Sequence, residues 1–366
     1  MNGVLPSMTW GTWVDPGDMV AATASTSGSS SSTSEQSKKS KRRLQRGICA
    51  ATEVCWFEEI LARVEATRHE LAVRYYRNPI MDATEATIPW PELPAGIHPK
   101  DGHLPPQRIQ NKRHQVENLA VFLQSILRDG DVVVEFCAGS GYVALPLACQ
   151  FPRCHFVLLD MKKPSLDIAD ERIARAGLTN VSVFCGRVEE YTAPFDVGIA
   201  LHACGEVSFF GFIQKTQRQI KATDMVLDKC LAASASYVLA PCCVGKIKHS
   251  ILEYPRSASL QSVVTRSEYE ILAKAADFGH SGHSALAVNA ANLNRRKCKS
   301  VLETDRNLRA IQDGYTAAMY IMHPFDATPK NDILVGLPSH RDPSQLPTGS
   351  PLSPDDVLLA LYGRSQ

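Results

Sequence analysis

The stretch Val132-Val-Val-Glu135-Phe-Cys137-Ala-Gly139-Ser-Gly141 decides how this chain is interpreted. An apolar run leads into a glycine-rich turn, which is the pattern of a buried strand that ends in a tight turn before a helix. Gly139 and Gly141 let backbone approach a ligand closely, and the N–H groups of the turn can bind a carboxylate or phosphate. We therefore predict a cofactor site that includes Glu135, Cys137, Ala138, Gly139, Ser140 and Gly141.

Two cofactor classes are compatible with this turn. The spacing Gly139-x-Gly141-x-x-Ala144 also satisfies the dinucleotide fingerprint, and Asp160, 19 positions after Gly141, is placed to accept hydrogen bonds from ribose hydroxyls. Both NAD and S-adenosylmethionine (SAM) carry such a ribose. Glu135 favours SAM, because a carboxylate at the strand end can hold a cationic amino group.

Short apolar runs separated by helix-length segments surround the turn. Their alternation with helices is the signature of a doubly wound α/β fold with buried parallel strands. A helix is predicted before the first strand, because His114 to Leu127 carries its apolar residues on one face. The five predicted strands are Val132–Phe136, His155–Leu159, Val181–Phe184, Val197–Leu201 and Tyr237–Ala240.

The last two predicted strands separate the two cofactor classes. Thr316–Met322 and Asp332–Gly336 are joined by His323–Asn331, a connection too short for a parallel crossover. We therefore predict an antiparallel pair at the sheet edge, which suits the reversed last strand of class I methyltransferases better than an all-parallel dinucleotide fold. The predicted fold is a Rossmann-like class I SAM-dependent methyltransferase fold, with a mostly parallel sheet and an antiparallel edge strand.

Local signals predict where several helices begin or end. Gly177 and Gly314 follow predicted helices and are typical of C-terminal caps. Ser267 and Glu270 form a capping-box pattern for a helix that continues to Phe278.

The composition is that of a globular protein with a polar extension. The 366 residues are 44% hydrophobic and 21% charged, and the net charge of +1 provides no overall field that would attract nucleic acid or an anionic membrane. Residues 1–48 are predicted to be a disordered Ser-rich and basic tail, and 49–106 a helical cap followed by a Pro-rich linker. In that cap, one or two amphipathic helices are predicted between Glu53 and Tyr76. The methyltransferase domain is predicted at 107–338 and a C-terminal tail at 339–366.

The cysteine content and the hydropathy of the sequence indicate where in the cell the protein is expected. Eleven cysteines are spread over a long chain without a segment typical of a signal peptide, which favours reduced thiols inside a cell. No window approaches the roughly 18 apolar residues needed to span a bilayer, so no membrane partner is predicted. We expect a cytoplasmic protein, with the basic run Lys38 to Arg43 as a nuclear-import signal, an RNA-binding arm or a solvated boundary of the tail.

Five motifs follow in order: Glu135-Phe-Cys-Ala-Gly-Ser-Gly141, Leu201-His-Ala-Cys-Gly205, Ala222-Thr-Asp224, Pro241-Cys-Cys-Val-Gly-Lys246 and Thr328-Pro-Lys-Asn-Asp332. With Asn111-Lys-Arg-His-Gln115 before them, they resemble the methyltransferase domain of the glutathione S-transferase C-terminal domain-containing proteins, over about Leu93 to Pro338. The wider group resembles the eukaryotic tRNA 2′-O-methyltransferases of the acceptor stem. The resemblance implies the fold and SAM as cofactor, and it suggests RNA as the methyl acceptor.

The chain departs from this family in two places. The glutathione-transferase-like domain of the animal proteins is not recognisable in residues 1–92. In addition, fifteen residues, Val207 to Lys221, separate Glu206 from Ala222, whereas the family runs almost directly from Cys-Gly into Ala-Thr-Asp. We interpret this insertion either as a substrate lid or as a retained intron in the gene sequence.

Candidate catalytic residues follow the fourth and fifth strands. Methyl transfer from a sulfonium needs an oriented nucleophile more than it needs catalytic groups. His202 is predicted near the methionine part of SAM and the substrate, as a base, a polar clamp or a structural histidine. Asp224 either caps its helix or touches the substrate, and Lys246 either meets a nucleic-acid phosphate or is a solvated charge. Cys204, Cys242 and Cys243 do not have metal-site spacing, so no metal is predicted.

Further cofactor contacts are predicted on both sides of these motifs. Arg187 and Val188 follow the third strand, where related enzymes hold the adenine. Arg187 cannot accept the adenine amino proton, so Glu189 or the backbone must do so if that contact exists. The resemblance suggests that Lys112 and Gln115 contact the carboxylate end of SAM, and a place on the helix surface is the alternative.

The predicted function is therefore that of a SAM-dependent methyltransferase, with RNA as the acceptor suggested by family analogy. A SAM-binding scaffold without transfer activity is the main alternative, and an NAD-linked oxidoreductase is the third. The sequence does not fix the oligomeric state.

Overall fold

The computed structural model describes residues 57–67, 75–84, 86–102, 105–201, 206–208, 219–241, 247, 250–277, 290–328, 330–346 and 351–352. Its helices are α1 (57–66), α2 (Pro106–Ile126), α3 (Ala144–Gln150), α4 (Lys163–Ala176), α5 (Ala222–Ala232), α6 (Ala258–Gln261), α7 (Arg266–Ala276) and α8 (Ala290–Gln312). Its strands are β1 (Tyr75–Tyr76), β2 (Val132–Phe136), β3 (His155–Asp160), β4 (Val181–Cys185), β5 (Val197–Leu201), β6 (Glu206–Ser208), β7 (Gln219–Lys221), β8 (Ser236–Ala240), β9 (Thr316–Ile321), β10 (Asp332–Leu337) and β11 (Pro351–Leu352). Within these ranges, none of the helices is long and apolar enough to cross a membrane.

Nine of the described strands form one sheet in the order β11-β1-β9-β10-β8-β5-β2-β3-β4. Neighbouring strands from β8 to β4 are parallel, and β10 lies antiparallel between β8 and β9. This is the class I methyltransferase fold that the sequence predicts, with all five parallel strands and the antiparallel pair at the expected places. The reversed strand β10 has β8 and β9 at its two edges, and all its residues are buried because the sheet is covered on both faces.

The antiparallel pair is not the outermost part of the sheet. β1 lies parallel to β9, and β11 lies antiparallel to β1. Both short strands come from outside the range 107–338 predicted for the methyltransferase domain. The sheet therefore extends into segments that the sequence marks as cap and tail, and Tyr75–Tyr76 is a strand where the apolar spacing predicted helix.

Two apolar clusters cover the two faces of the sheet. One contains buried residues of α2, α3 and α4, and the other contains buried residues of α5 together with Ala310 of α8. Adjacent strand residues alternate between them, so that Val133 and Phe156 belong to the first cluster and Val134 and Val157 to the second. This burial on both faces is why the parallel strands read as continuous apolar runs.

A third apolar cluster joins α8 to an outer group of helices. Most of its buried residues come from α1, α6, α7 and α8, with Cys298, Val301 and Leu302 on the α8 side. The opposite side of α8 faces the sheet and carries buried charges. We call the set Asp224, Arg296, Lys299, Glu303, Arg306 and Asp332 the α8 charged layer.

Opposite charges alternate along the α8 charged layer. Lys299 Nζ lies 2.5 Å from Asp332 Oδ2 and 2.9 Å from Glu303 Oε1. Arg306 continues the row, at 2.7 Å from Glu303 and 2.8 Å from Asp224. Arg296 also contacts Asp332. Each of these six groups therefore has an oppositely charged partner, which offsets the cost of removing it from water.

The helix signals are only partly confirmed. Gly177 and Gly314 follow α4 and α8 with φ of 64° and 84°, as expected for left-handed caps. The capping-box prediction was wrong by two residues: Thr265 caps α7, and its side chain and backbone exchange hydrogen bonds with Glu268. The helix ends at Ala276 rather than Phe278.

Candidate cofactor site

The glycine-rich turn lies where the order of the parallel strands reverses. β2 has β3 on one side and β5 on the other, so the turn after Phe136 opens at the carboxyl edge of the sheet between them. Ligands of doubly wound sheets bind at such a point, because the connections leave in opposite directions and a crevice remains.

Gly139 and Gly141 serve different purposes in the turn. Both have positive φ, at 57° and 75°. A Cβ at Gly141 would lie 2.4 Å from Leu158 Cδ2, so this glycine lets β3 and α3 pack. A Cβ at Gly139 would have no atom of the described residues within 4 Å. With respect to that part of the chain, the space above Gly139 is open, as a ligand that approaches the backbone requires.

Asp160, the last residue of β3, stabilises the glycine-rich turn by hydrogen bonds. Its Oδ2 accepts a 2.9 Å hydrogen bond from the Gly139 N–H, and its Oδ1 accepts one of 2.8 Å from the Lys162 N–H. Carboxylate oxygens can each accept more than one hydrogen bond. The position thus fits the predicted role of accepting hydrogen bonds from ribose hydroxyls beside the turn.

Glu135 has a buried carboxylate, and one of its two oxygens accepts a hydrogen bond from the described residues. Its side chain is 3% exposed, and Oε2 accepts a 2.8 Å hydrogen bond from the Ala144 N–H. No described residue donates to Oε1. Burial raises the pKa of the Glu135 carboxyl to about 7, although the Ala144 N–H and the Lys112 ammonium act in the opposite direction. A ligand cation would restore the charged form.

The remaining turn residues contribute backbone. Cys137 has a φ of 58°, and burial next to Asp160 and Glu135 raises the pKa of its thiol to about 12, so the thiol stays protonated. Ala138 is buried, and its N–H donates to the Leu159 carbonyl at 3.0 Å. The Ser140 carbonyl accepts a hydrogen bond from Arg172.

Arg172 is a site residue that sequence reasoning missed. It lies on α4, is 6% exposed, and donates to three carbonyl oxygens: that of Ser140 in the turn and those of Gly96 and Ile97 at 2.6 and 2.8 Å. Its guanidinium also lies 4.5 Å from the Tyr142 ring centroid. A helical spacing signal was available, since Leu166, Ala169 and Arg172 recur every three positions on the buried face.

Glu189 presents an unsatisfied carboxylate next to the turn after β4. Val188 is 4% exposed and belongs to the core, while the Arg187 N–H donates to Glu190 Oε2 at 2.8 Å. Both side-chain oxygens of Glu189 are buried, and neither has a hydrogen-bond partner among the described residues. Because an unpaired buried acceptor is costly, this site fits a ligand N–H group.

Residues before β2 lie on the first half of α2. Gln115 is buried, and its Nε2 donates to the Ala327 carbonyl at 3.0 Å. The predicted contact of Gln115 with the cofactor therefore competes with a contact inside the protein. Lys112 lies one turn earlier, with its ammonium 5.8 Å from the Tyr142 ring centroid and near enough to Glu135 to favour its ionised form.

The three predicted catalytic residues are not brought together by the described part of the chain. His202 and Lys246 lie outside the described residues, as do Cys204, Cys242 and Cys243. Asp224 is 1% exposed and accepts hydrogen bonds from Arg306 and from the Tyr254 hydroxyl, the latter at 2.8 Å. Although burial opposes ionisation, Arg306 holds the pKa of Asp224 below its usual value.

Metal ligands do not converge in the part of the chain that the structure covers. Its His, Cys, Asp and Glu side chains form no group of three that could hold an ion. The candidate site instead offers the carboxylates of Glu135, Asp160 and Glu189 and a backbone turn, which are groups that bind ammonium, hydroxyl and amino groups by hydrogen bonds.

Comparisons with known proteins place a methyltransferase domain in this part of the chain. Residues 111–250 match a family of methyltransferase domains. Over 253 residues, 69% of this chain and 38% of the relative, the chain is 33% identical to a glutathione S-transferase C-terminal domain-containing protein of Xenopus laevis. The resemblance predicted from the five motifs is thereby confirmed, and the chain spans less than half the length of that relative.

Two further similarities are more distant. Over 80 residues, 22% of this chain and 33% of the relative, the chain is 26% identical to ribosomal RNA small subunit methyltransferase G of Clostridium novyi. A solved structure of a SAM-dependent methyltransferase from Aquifex aeolicus overlaps 63% of this chain and 92% of its own, at 12% identity and a TM-score of 0.34.

Proposed function

Because residues 111–250 match a methyltransferase domain and a buried carboxylate stands beside the glycine-rich turn, we propose that this protein is a SAM-dependent methyltransferase. The observation that carries the proposal is Glu135. A dinucleotide would bring its pyrophosphate to this turn, where a buried carboxylate would repel it. The methionine part of SAM brings an ammonium group instead, which Glu135 Oε1 can accept.

The other polar groups fit the rest of the cofactor. Asp160 would accept hydrogen bonds from the ribose hydroxyls, and Glu189 would accept one from the adenine amino group. The open surface at Gly139 gives the backbone room to approach. When bound, SAM supplies a sulfonium-activated methyl group. The protein's own contribution is then to orient the acceptor and to keep water out, which supplies much of the rate in such transfers.

We propose RNA as the acceptor class, with tRNA and ribosomal RNA as the first substrates to test. Support comes from the motifs shared with tRNA 2′-O-methyltransferases and from the similarity to a ribosomal RNA methyltransferase. In this proposal His202 acts as the base or polar clamp and Lys246 meets a phosphate. Asp224 positions the start of α5, because Arg306 and Tyr254 already occupy its carboxylate.

Calorimetric titration tests the cofactor. We expect S-adenosylhomocysteine to bind under reducing conditions and NADH not to bind. Glu135→Gln should weaken binding about tenfold or more, since a charge-assisted hydrogen bond is lost. The matched control is Glu171→Gln, which changes an exposed glutamate on α4 and should leave binding unchanged. Binding of NADH in place of S-adenosylhomocysteine would refute the proposal.

Mass spectrometry of modified nucleosides tests the acceptor. We expect one methylated nucleoside of tRNA or ribosomal RNA to disappear when the gene is deleted, and to return with the wild-type gene but not with Glu135→Gln. An unchanged nucleoside profile, together with intact cofactor binding, would favour a SAM-binding scaffold or a protein acceptor.

The compartment is also a proposal. We propose a cytoplasmic enzyme that enters the nucleus through the basic run Lys38 to Arg43, which lies outside the described residues. A fluorescent fusion with these lysines and arginines changed to glutamine should be excluded from the nucleus. Equal distribution of both fusions would contradict the import signal.

A further inference from the structure

Positive charge is concentrated on the segment that precedes β2. Residues 98–114 contain four Lys or Arg residues and one Asp, whereas the whole chain has a net charge of only +1. Three of these cations are Lys100, in the short 3-10 turn before α2, and Arg108 and Arg113, on the first half of α2. We call these three residues the α2 basic patch. Lys112 is not part of it, because its ammonium lies against Tyr142 in the glycine-rich turn.

No described carboxylate forms an ion pair with the α2 basic patch. None of its three side chains has an ion pair or a hydrogen bond to a described residue. Glu117, one helical turn after Arg113, accepts the indole N–H of Trp90 instead, and Asp101 Oδ2 accepts the Gly96 N–H at 2.9 Å. The carboxylates nearest in the chain are thus engaged by uncharged donors, and the charge of the patch is unpaired within the described part of the chain.

Arg113 is oriented by an aromatic ring. Its guanidinium carbon lies 5.4 Å from the centroid of the buried Trp90 ring, and its Nε is buried without a hydrogen-bond partner among the described residues. His98 packs edge-on against the same ring, and its Nδ1 accepts the Lys100 N–H at 2.9 Å. A guanidinium that stacks on a ring presents its N–H groups as a planar fork, which matches the oxygens of a phosphate.

The α2 basic patch lies beside the cofactor site. Arg172 donates hydrogen bonds to the Gly96 and Ile97 carbonyls and also to the Ser140 carbonyl. These contacts join the segment before α2 to the glycine-rich turn. Because the acceptor must reach the methyl group at this edge of the sheet, a polyanionic acceptor would pass over the patch.

We infer that the α2 basic patch binds the phosphate backbone of the RNA acceptor, with the Arg113 guanidinium on one phosphate and Lys100 and Arg108 on its neighbours. This inference rests on the proposed function, because it names the surface by which the proposed acceptor binds. An anionic membrane is the competing partner. RNA is favoured because the patch adjoins the site at which the acceptor is methylated.

Salt-dependent RNA binding tests the inference. Dissociation constants of the full chain are measured by fluorescence anisotropy between 50 and 200 mM KCl, with labelled tRNA and labelled ribosomal RNA from cells that lack the gene. Phosphate contacts release counterions, so affinity falls with salt on a slope that reflects their number. Arg108→Gln and Arg113→Gln should each weaken RNA binding about threefold or more and reduce this slope by about 1, and the double variant should reduce it by about 2. The affinity for S-adenosylhomocysteine should stay within about twofold.

Two control variants make the result specific. Arg128→Gln combined with Arg153→Gln removes the same charge from two exposed arginines at the amino edge of the sheet, and it should keep the slope and the affinity of the wild-type protein. Arg113→Lys retains the cation and loses the planar fork, so it should keep the slope and weaken binding only slightly. Arg108 is exposed, so Arg108→Gln tests the patch even where Arg113→Gln does not fold.

The inference is overturned if the double variant binds both RNAs with the affinity and the slope of the wild-type protein. It is also overturned if the double variant loses binding only to vesicles of phosphatidylcholine and phosphatidylserine, which would assign the patch to a membrane. A wild-type protein that binds S-adenosylhomocysteine but neither RNA would instead count against the proposed acceptor. The failure of the patch and the failure of the proposed function are therefore distinguishable.

Discussion

Glu135 combines a buried position with a pKa of about 7, which makes its charge sensitive to pH near neutrality. If the ionised carboxylate binds the ligand ammonium, affinity is lost as protons compete for it. We expect the affinity for S-adenosylhomocysteine to fall about tenfold per unit as pH drops below 7. Calorimetry between pH 5.5 and 7.5 measures this slope. Glu135→Gln should give weaker binding that is flat over the same range, and an equal slope in both proteins would exclude Glu135 as its source.

Substitutions of the two glycines in the turn should have different effects. One should mainly lower stability, and the other should mainly prevent ligand binding. Gly141→Ala places a methyl group 2.4 Å from Leu158, so we expect a loss of about 3 kcal/mol in the free energy of unfolding. Gly139→Ala meets no atom of the residues that the structure describes and should cost only about 1 kcal/mol for its positive φ. Its methyl group would instead occupy the ligand space and abolish binding. Denaturant unfolding and calorimetry on both variants measure the two effects, and similar behaviour of the variants would contradict this division.

Residue-level prediction from sequence works where the signal is local. Glu135, Gly139 and Asp160 could be proposed as candidates because the strand, the turn and the following strand end are near one another in the chain. The sequence left Glu189 as an alternative to the backbone, because only the fold shows that both of its carboxylate oxygens are buried without a donor among the described residues. Arg172 was missed because its three carbonyl partners are brought to it by the fold. The burial of Asp224 likewise depends on Arg306, which is 82 positions away.

At the scale of elements, Arg172 fastens α4 to the glycine-rich turn and to the segment before α2. Loss of its three carbonyl contacts leaves buried acceptors unpaired, so Arg172→Met should lower the free energy of unfolding by about 2–4 kcal/mol and weaken cofactor binding. Arg175→Met changes an exposed arginine on the same helix and should do neither. Equal stability of the two variants would show that the contacts are dispensable.

The insertion Val207 to Lys221 begins and ends in a hairpin. Glu206 pairs with Lys221, and Ser208 with Gln219, so Glu206 and Ala222 are close in space. Deletion of Val207 to Lys221 should therefore close the chain with little strain and change the free energy of unfolding by less than about 1 kcal/mol. Circular dichroism during thermal unfolding measures this change. A variant that lacks only residues 209–218 and keeps β6 and β7 is the matched control. If the deletion of Val207 to Lys221 lowers the stability and the shorter deletion does not, β6 and β7 are needed for folding.

Element prediction succeeded where burial on both faces leaves a continuous apolar run, as in Val197–Leu201. It failed where an element depends on a distant partner. β1 and β11 are two residues long and form only because β9 offers an edge. The first half of α2 is polar and lacks an apolar period, so the sequence placed its start at His114 rather than Pro106.

At the scale of the molecule, the segment before α2 is part of the main core. Tyr75 is fully buried and its hydroxyl contacts Ser300 and Asp332, while Ile88, Trp90 and Ile97 belong to the core cluster of α2 and α3. Four such side chains contribute roughly 8 kcal/mol of burial, which is comparable to the whole stability of a typical domain.

A protein cut to residues 107–338 should therefore fail to fold cooperatively. One cut to residues 52–352 keeps all of these contacts and should unfold at the same temperature as the full chain. Size-exclusion chromatography and thermal unfolding of the two fragments measure the difference. A folded monomer of 107–338 would show that the cap and the tail are separable from the core.

The pairing of β1 with β9 also has a consequence for biosynthesis. Tyr75 leaves the ribosome early, yet its strand partner Met319 is added more than 240 residues later, and Leu352 on its other side later still. Until then the nascent chain must carry an incomplete sheet edge and an exposed tyrosine, because contacts so remote in sequence form last. The interval between the synthesis of Tyr75 and that of Leu352 is thus the period in which this sheet edge is open to wrong pairing.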